Sequence, residues 1–268
     1  MRRGFGGLLP ASIVVSLLVA GCGASDPPTK VLPAPTAPST TRPGALGTRP
    51  VTSTTVRAQP VGTTVAEAVG PSVAIYTTPG APVPAQVLPN PWTVDPARPA
   101  SKVPQVFLVA AGAPVAGWVR VLLPVRPNGS TGWVRASGVS LTAVRYRIRV
   151  SLREHRIDVV DGAAVVYSGP VAVGAPRTPT PTGHYYVRVL IKAPNPHTVY
   201  GPYAYGLSSH SEALSSFDGG DAEIGIHGND DASVLGHDVT HGCIRIDNDA
   251  ITRLAPLLPL GTPVDVVA

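Results

Sequence analysis

Val144-Arg145-Tyr146-Arg147-Ile148-Arg149-Val150-Ser151 sets the fold class of the chain's second half. Apolar residues at 144, 146, 148 and 150 alternate with three arginines and a serine. A period of two belongs to a strand with one buried face. The arginines predict a solvated outer face. Downstream, Ile157 to Val160, the turn Asp161-Gly162, and Ala163 to Tyr167 predict a hairpin. Val171 to Gly174, His184 to Ile191 and Glu223 to His227 read as further strands. The one helix predicted runs from about Asp249 to Leu258, with Ile251, Leu254 and Leu258 on one face. Asp247 is placed to cap it, and Pro256 falls in its last turn. Lys192 to Phe217 lacks periodicity and is rich in Gly, Pro, Ser and Tyr, which predicts a long loop acting as a lid or binding segment.

Upstream, residues 65–142 carry the same β signals. Ser72 to Tyr76 reads as a strand closed by Thr78-Pro79-Gly80, and Trp118 to Val125 as another. Arg126-Pro127-Asn128-Gly129-Ser130 is a turn signal, after which Gly132-Trp133-Val134 resumes the sheet. This region resembles bacterial SH3-like barrels, which implies binding to wall peptides or packing against a neighbouring catalytic domain. Trp118 and Trp133 are expected in its core, since a small barrel needs large side chains. With 31 Pro, 28 Gly and only 14% charged residues, the composition also disfavours long helices. The net charge is +5, but no Lys/Arg cluster interleaved with aromatics occurs, so no nucleic-acid partner is expected.

Residues 1–21 have the parts of an export signal: Arg2 and Arg3, then an apolar run from Leu8 to Val19. The run ends in Val19-Ala20-Gly21-Cys22, which resembles a bacterial lipobox. Cys22 is therefore the expected lipidation site, placing the protein on the outer face of the cytoplasmic membrane, facing the cell wall. Residues 22–64 are dominated by Pro, Thr, Ser and Ala and are expected to form a tether, being unable to bury enough surface to offset ordering entropy. The only other cysteine is Cys243. Each sits in its own chemical context, and no disulfide is expected.

The segment that carries chemistry is His227-Gly228-Asn229 together with Thr240-His241-Gly242-Cys243-Ile244-Arg245. A cysteine nucleophile needs a nearby base and backbone N–H donors for an oxyanion. Gly242 lets the backbone turn sharply beside the thiol. His227, at the end of a strand, can lie beside Cys243 if the intervening loop folds back. This signature resembles the L,D-transpeptidases with a YkuD-like catalytic domain. So do Thr178-Pro179-Thr180-Pro181-Thr182-Gly183, Tyr200-Gly201-Pro202-Tyr203, Gly206-Leu207-Ser208 and Leu260-Gly261-Thr262-Pro263-Val264. The resemblance spans about residues 143–267, within a catalytic domain read as 143–268, and implies an all-β chain: an SH3-like barrel, then a YkuD-like β-sandwich with one short helix.

The resemblance also implies roles. Cys243 is the nucleophile and His227 the general base, oriented by the Gly228 carbonyl. His241 shapes the pocket, and the Gly242 and Cys243 N–H groups serve the oxyanion. Arg245, Tyr200 and Tyr203 contact substrate. The implied reaction is acyl transfer from the third residue of one peptidoglycan stem peptide to a side-chain amine of another, a 3→3 cross-link. No metal or organic cofactor is implied, and carbapenems are expected to acylate the thiol.

Other readings of the same residues differ in consequence. Cys243 as an inert buried thiol fits poorly with its His-Gly bracket. His237-Asp238-Val239-Thr240-His241 superficially resembles a zinc-binding helix, but Gly236, Val239, Thr240 and Gly242 disfavour helix there. A cysteine peptidase or L,D-carboxypeptidase of wall peptides, or a non-catalytic wall-binding lipoprotein, are the alternative functions. Because no nucleophile–base pair is visible in 65–142, loss of that region is expected to affect wall association or stability more than thiol chemistry.

Overall fold

The computed structural model describes residues 30–31, 62–95, 100–217 and 220–268. The export segment, Cys22 and most of the tether lie outside the described residues. Within the expected tether, Lys30–Val31 pairs antiparallel with Ile191 and Lys192.

The chain is all-β, with one short helix among the described residues. The largest element is a nine-stranded sheet. Its order runs from Ala164–Pro170 through Arg156–Asp161, Tyr146–Ser151 and Pro263–Val267 to Gly183–Lys192. It continues through Tyr203–His210 and Glu223–His227 to Ile244–Arg245, with Lys30–Val31 as the ninth strand, paired with Gly183–Lys192. The strand Gly183–Lys192 is the hinge of this order. Its first half pairs with Pro263 to Val266, its second with Tyr203 to Leu207, and the register is irregular between Val187 and Val189. One long strand thereby serves two parts of a curled sheet.

The alternating stretch forms the strand Tyr146–Ser151, with Ile148 and Val150 buried. Val144 instead ends the preceding strand, Val139–Val144. The arginine face is only partly solvated. Arg149 is exposed, but Arg147 is paired with Asp265 at 2.7 Å and reaches Thr63 Oγ1 at 3.2 Å.

The helix spans Asn248–Leu254, shorter than expected, and it stops before Pro256. The Asp247 carboxylate accepts from the Asp249 and Ala250 N–H groups at 2.9 and 3.0 Å, as an N-cap should. Ala250, Ile251 and Leu254 face the core, and the Tyr205 hydroxyl donates to the Leu254 carbonyl at 2.8 Å, fastening helix to sheet. Fully burying side chains such as Ile226, Ile244 and Ile251 contributes about 1.5–3 kcal/mol each.

The predicted long loop from Lys192 to Phe217 is in fact interrupted by an eight-residue strand, Tyr203–His210. Its Ser, Gly and Ala residues carry little strand propensity. Its neighbours on both sides supply the ladder, and its own Tyr205 and Leu207 are buried at the core.

The N-terminal residues form smaller sheets: Val139–Val144, Thr63–Ala68 and Val106–Leu108 in one, and pairs such as Trp118–Leu122 with Thr131–Arg135 in others. They enclose a core containing Ile75, Phe107, Val121 and Val134. Trp118 and Trp133 are half-buried, not central. Trp118 meets the Tyr76 ring edge-on at 5.0 Å under the Arg135 guanidinium. A further cluster joins these sheets to the large one: Val65, Val106, Leu108 and Val144 pack around the fully buried Tyr186.

Candidate active site

Two short parallel strands set the site. Glu223–His227 and Ile244–Arg245 pair with Ile226 opposite Ile244 and His227 opposite Arg245. Alternate residues share a face. Gly225, His227, Cys243 and Arg245 therefore face one side of the sheet, while Ile226 and Ile244 enter the core on the other. This register brings together residues eighteen apart in the chain.

Cys243 is a free, partly exposed thiol. Its Sγ accepts from the Gly225 N–H at 3.4 Å. The surrounding protein pushes the Cys243 thiol up, while the Gly225 N–H and the positive Arg245 pull it down. His227 is 3% exposed. Its Nδ1 lies 2.7 Å from the Gly228 carbonyl, which as an acceptor fixes the proton on Nδ1. Burial pushes His227 down to about 4, opposed by the Gly228 and Val199 carbonyls and assisted by Arg245. Burial thus disfavours charge on both side chains, and the hydrogen bond found at the sulfur comes from the Gly225 N–H.

The backbone around His227 is tightly set. A Cβ on Gly228 would meet Asn248 Oδ1 at 2.2 Å and Pro202 Cδ at 2.9 Å, so only glycine fits. Asn248 Oδ1 accepts from the Asn229 N–H at 2.8 Å. The first residue of the helix thus pins the turn after His227. The Gly228 N–H donates to the Tyr203 carbonyl at 3.1 Å. Tyr203 contributes this backbone contact, while its ring lies under Lys192 at 5.9 Å. Tyr200 packs its ring against His227 at 5.1 Å and is 39% exposed. Of the two tyrosines named from sequence, Tyr200 is the one whose ring is at the site.

The Cys243 side is held by threonines. Thr240 Oγ1 donates to the Cys243 carbonyl at 2.6 Å and accepts from the Gly242 N–H at 3.1 Å. Thr180 Oγ1 donates to the Gly242 carbonyl, and Thr178 Oγ1 to the Thr240 carbonyl. Gly242 has φ +118°, and a Cβ there would also meet Ile224 Cδ1 at 2.9 Å. In this conformation the Gly242 N–H is given to Thr240, so service to an oxyanion would require sharing or releasing that bond. Asp238–Thr240 is a strand, which removes the zinc-helix reading of His237 and His241. His241 is exposed, and its ring lies against Phe217 with centroids 5.2 Å apart. Arg245 Nε is buried without a hydrogen-bond partner among the described residues, a donor left open beside the thiol.

Thr240 and Thr180 stood in the motifs quoted from sequence without an assigned role, and Gly225 and Asn248 were not singled out there. Thr180 and Asn248 act on the backbone of distant residues, Thr240 on that of Gly242 and Cys243, and Gly225 through its own N–H.

The structure thus sets a cysteine, a histidine and an arginine on one face of an all-β scaffold. A model of the YkuD family, the L,D-transpeptidase catalytic domain, matches residues 145–266. The chain is 30% identical over 154 residues to the YkuD protein of Bacillus licheniformis, a provisionally named L,D-transpeptidase. The match covers 55% of this chain and 85% of that protein. A similarly named protein of Bacillus subtilis is 31% identical over 123 residues, covering 46% and 66%. Among solved structures, L,D-transpeptidase 3 of Mycobacterium tuberculosis, in complex with a faropenem-derived adduct, is 18% identical. The match covers 57% of this chain and 92% of that one, with a TM-score of 0.38. The chain belongs to the YkuD family of L,D-transpeptidases.

Proposed function

We propose that this protein is a peptidoglycan L,D-transpeptidase forming 3→3 cross-links through a thioester on Cys243. The observation that carries the reading is the placement of Cys243 and His227 on one face of adjacent parallel strands, with Gly225 N–H on the sulfur. Nδ1 of His227 is held by the Gly228 carbonyl, and Nε2 is the nitrogen proposed to take the thiol proton. A depressed pKa keeps that nitrogen unprotonated at neutral pH.

In the first step Sγ bonds to the carbonyl carbon of the third stem residue as its proton passes to His227. The C–N bond to the terminal D-Ala breaks, and the departing amine takes the proton from His227. In the second step a side-chain amine of a neighbouring stem attacks the thioester, an amide forms and the C–S bond breaks, restoring the thiol. The Cys243 N–H, with Gly242 once released from Thr240, serves the oxyanion of both steps. Arg245, with its open Nε, is placed for a substrate oxygen, and Tyr200 for the wall of the cleft. A carbapenem ring offers a strained amide to the same thiol and would leave a covalent adduct. Export, lipid attachment at Cys22 and an SH3-like, wall-directed N-terminal region complete the proposal.

Muropeptide mass spectrometry after incubation with the purified protein tests the reaction. Dimers linked between third residues are expected, and D-Ala release without dimers would point to L,D-carboxypeptidase activity. Membrane fractionation of Cys22→Ala tests the anchor, since a variant that stays processed and membrane-bound contradicts it.

A further inference from the structure

The turn after Trp118–Leu122 does more than join two strands. Arg126 donates through Nη1 to the Ser211 carbonyl, and through Nη2 to the Leu214 carbonyl at 3.0 Å and the Asp221 carbonyl at 2.9 Å. Its Nε meets the Asp221 carboxylate at 3.5 Å. Asn128 adds a reciprocal pair with the His210 backbone: Nδ2 donates to its carbonyl at 2.8 Å, and Oδ1 accepts its N–H at 2.9 Å.

The Arg126 contacts fall on two described legs of one segment, 211–217 and 220–222, and the Asn128 pair sits at His210 just before them; a backbone bond from Ser211 N–H to the Ala222 carbonyl joins the legs. Most described residues of the segment are exposed, so it has little core of its own to order it. It carries Phe217, whose ring covers His241 two residues before Cys243. The downstream leg runs directly into Glu223–His227, the strand that presents Gly225 and His227. A second contact supports that leg: Glu223 is paired with Arg188, whose guanidinium stacks on Trp92 of the N-terminal sheets at 4.3 Å.

We infer that Arg126, with Asn128, is a positioning residue that holds the Phe217 segment as a wall of the Cys243 cleft, making the N-terminal region part of the apparatus that accepts the acyl donor. The inference rests on Cys243 being the nucleophile. A guanidinium bonded to three carbonyls and a carboxylate fixes two chain legs with one side chain, which neither lysine nor alanine can reproduce. The thiol's partners Gly225 and Arg245 are held by the ladders of Glu223–His227 with Tyr203–His210 and Ile244–Arg245, independently of Arg126, so loss of the Arg126 contacts should alter how a bulky acyl donor is received and not the reactivity of sulfur toward a small electrophile.

The test is intact-mass kinetics on the full chain with a carbapenem and with a tetrapeptide donor, alongside iodoacetamide alkylation and thermal melting. Arg126→Ala should be acylated roughly 2- to 30-fold more slowly, the range that coupling through a packed segment carries, with alkylation unchanged. Arg126→Lys should recover part of the rate. Phe217→Ala should reproduce the slowing, and the double variant should be no slower than the slower single. Wild-type acylation rates in either single variant, multiplied effects in the double, or an equal fall in alkylation would overturn the inference. If Arg126→Ala fails to fold, the exposed Phe217 carries the test alone. A wild type that forms no adduct contradicts the nucleophile assignment instead.

Discussion

His227 and His241 both neighbour Cys243, one by strand pairing and the other along the chain, yet the fold treats them in opposite ways. His227 is 3% exposed, bonded to the Gly228 carbonyl and fixed through Gly228 and Asn248. Its proton affinity is strongly depressed. His241 is exposed and touches Phe217 on a segment held by the N-terminal sheets. A buried, oriented, neutral imidazole suits proton transfer. An exposed ring against a phenyl group suits shape. Under the proposed mechanism the same residue type would thus be given two tasks by its surroundings.

The contrast is broken most severely at His227. His227→Ala should slow acylation of Cys243 by about 10²–10⁴-fold, the usual contribution of a positioned base. A loss no larger than that of His241→Ala would erase the distinction. Gly228→Ala should also be severe, because its Cβ would meet Asn248 and Pro202 and displace the carbonyl that orients the ring. Paired melting and acylation measurements would show both falling. Acylation retained in a stable variant would mean that the orientation is dispensable.

Burial of His227 also makes a prediction about pH. Its folded pKa of about 4 lies below its ordinary 6.5, so below 6.5 the unfolded chain binds the proton more readily. The associated stability is complete above pH 6.5 and is lost as pH falls toward 4. Its full size is about 3 kcal/mol. Burial depresses His210 in the same direction, so the His227 share must be isolated by difference. Denaturant melts of wild type and His227→Gln from pH 7.5 to 4 should converge as pH falls, and parallel curves would contradict the linkage. The smallest effect is expected at His241, where His241→Ala should slow acylation on the order of tenfold through shape alone, equivalent to ~1.4 kcal/mol. Thiol alkylation by iodoacetamide should stay near wild type in that variant.

The two sides of the site also differed in how far they could be read from sequence. Cys243, His227 and the Asp247 cap stand in short patterns whose meaning is local, as does the alternation of Tyr146–Ser151. The strand Tyr203–His210 escaped because its Ser, Gly and Ala residues acquire strand geometry only between two neighbours. Gly225 donates through a backbone N–H, and the threonine bonds at Gly242 run from position 180 to 242, so no periodicity signals either. Arg126 was legible as part of a turn. Its contact with a segment some ninety residues away was not, because that contact is made by tertiary packing.

The central claim is that sulfur of Cys243 carries the acyl group. Intact-mass analysis of wild type, Cys243→Ala and Cys243→Ser, each incubated with a tetrapeptide donor and with a carbapenem, tests it most directly. Wild type should gain one acyl mass. Cys243→Ala should gain none, and Cys243→Ser almost none, because a hydroxyl is far harder to deprotonate than a thiol. An adduct of equal yield in Cys243→Ala would place the nucleophile elsewhere and contradict the account.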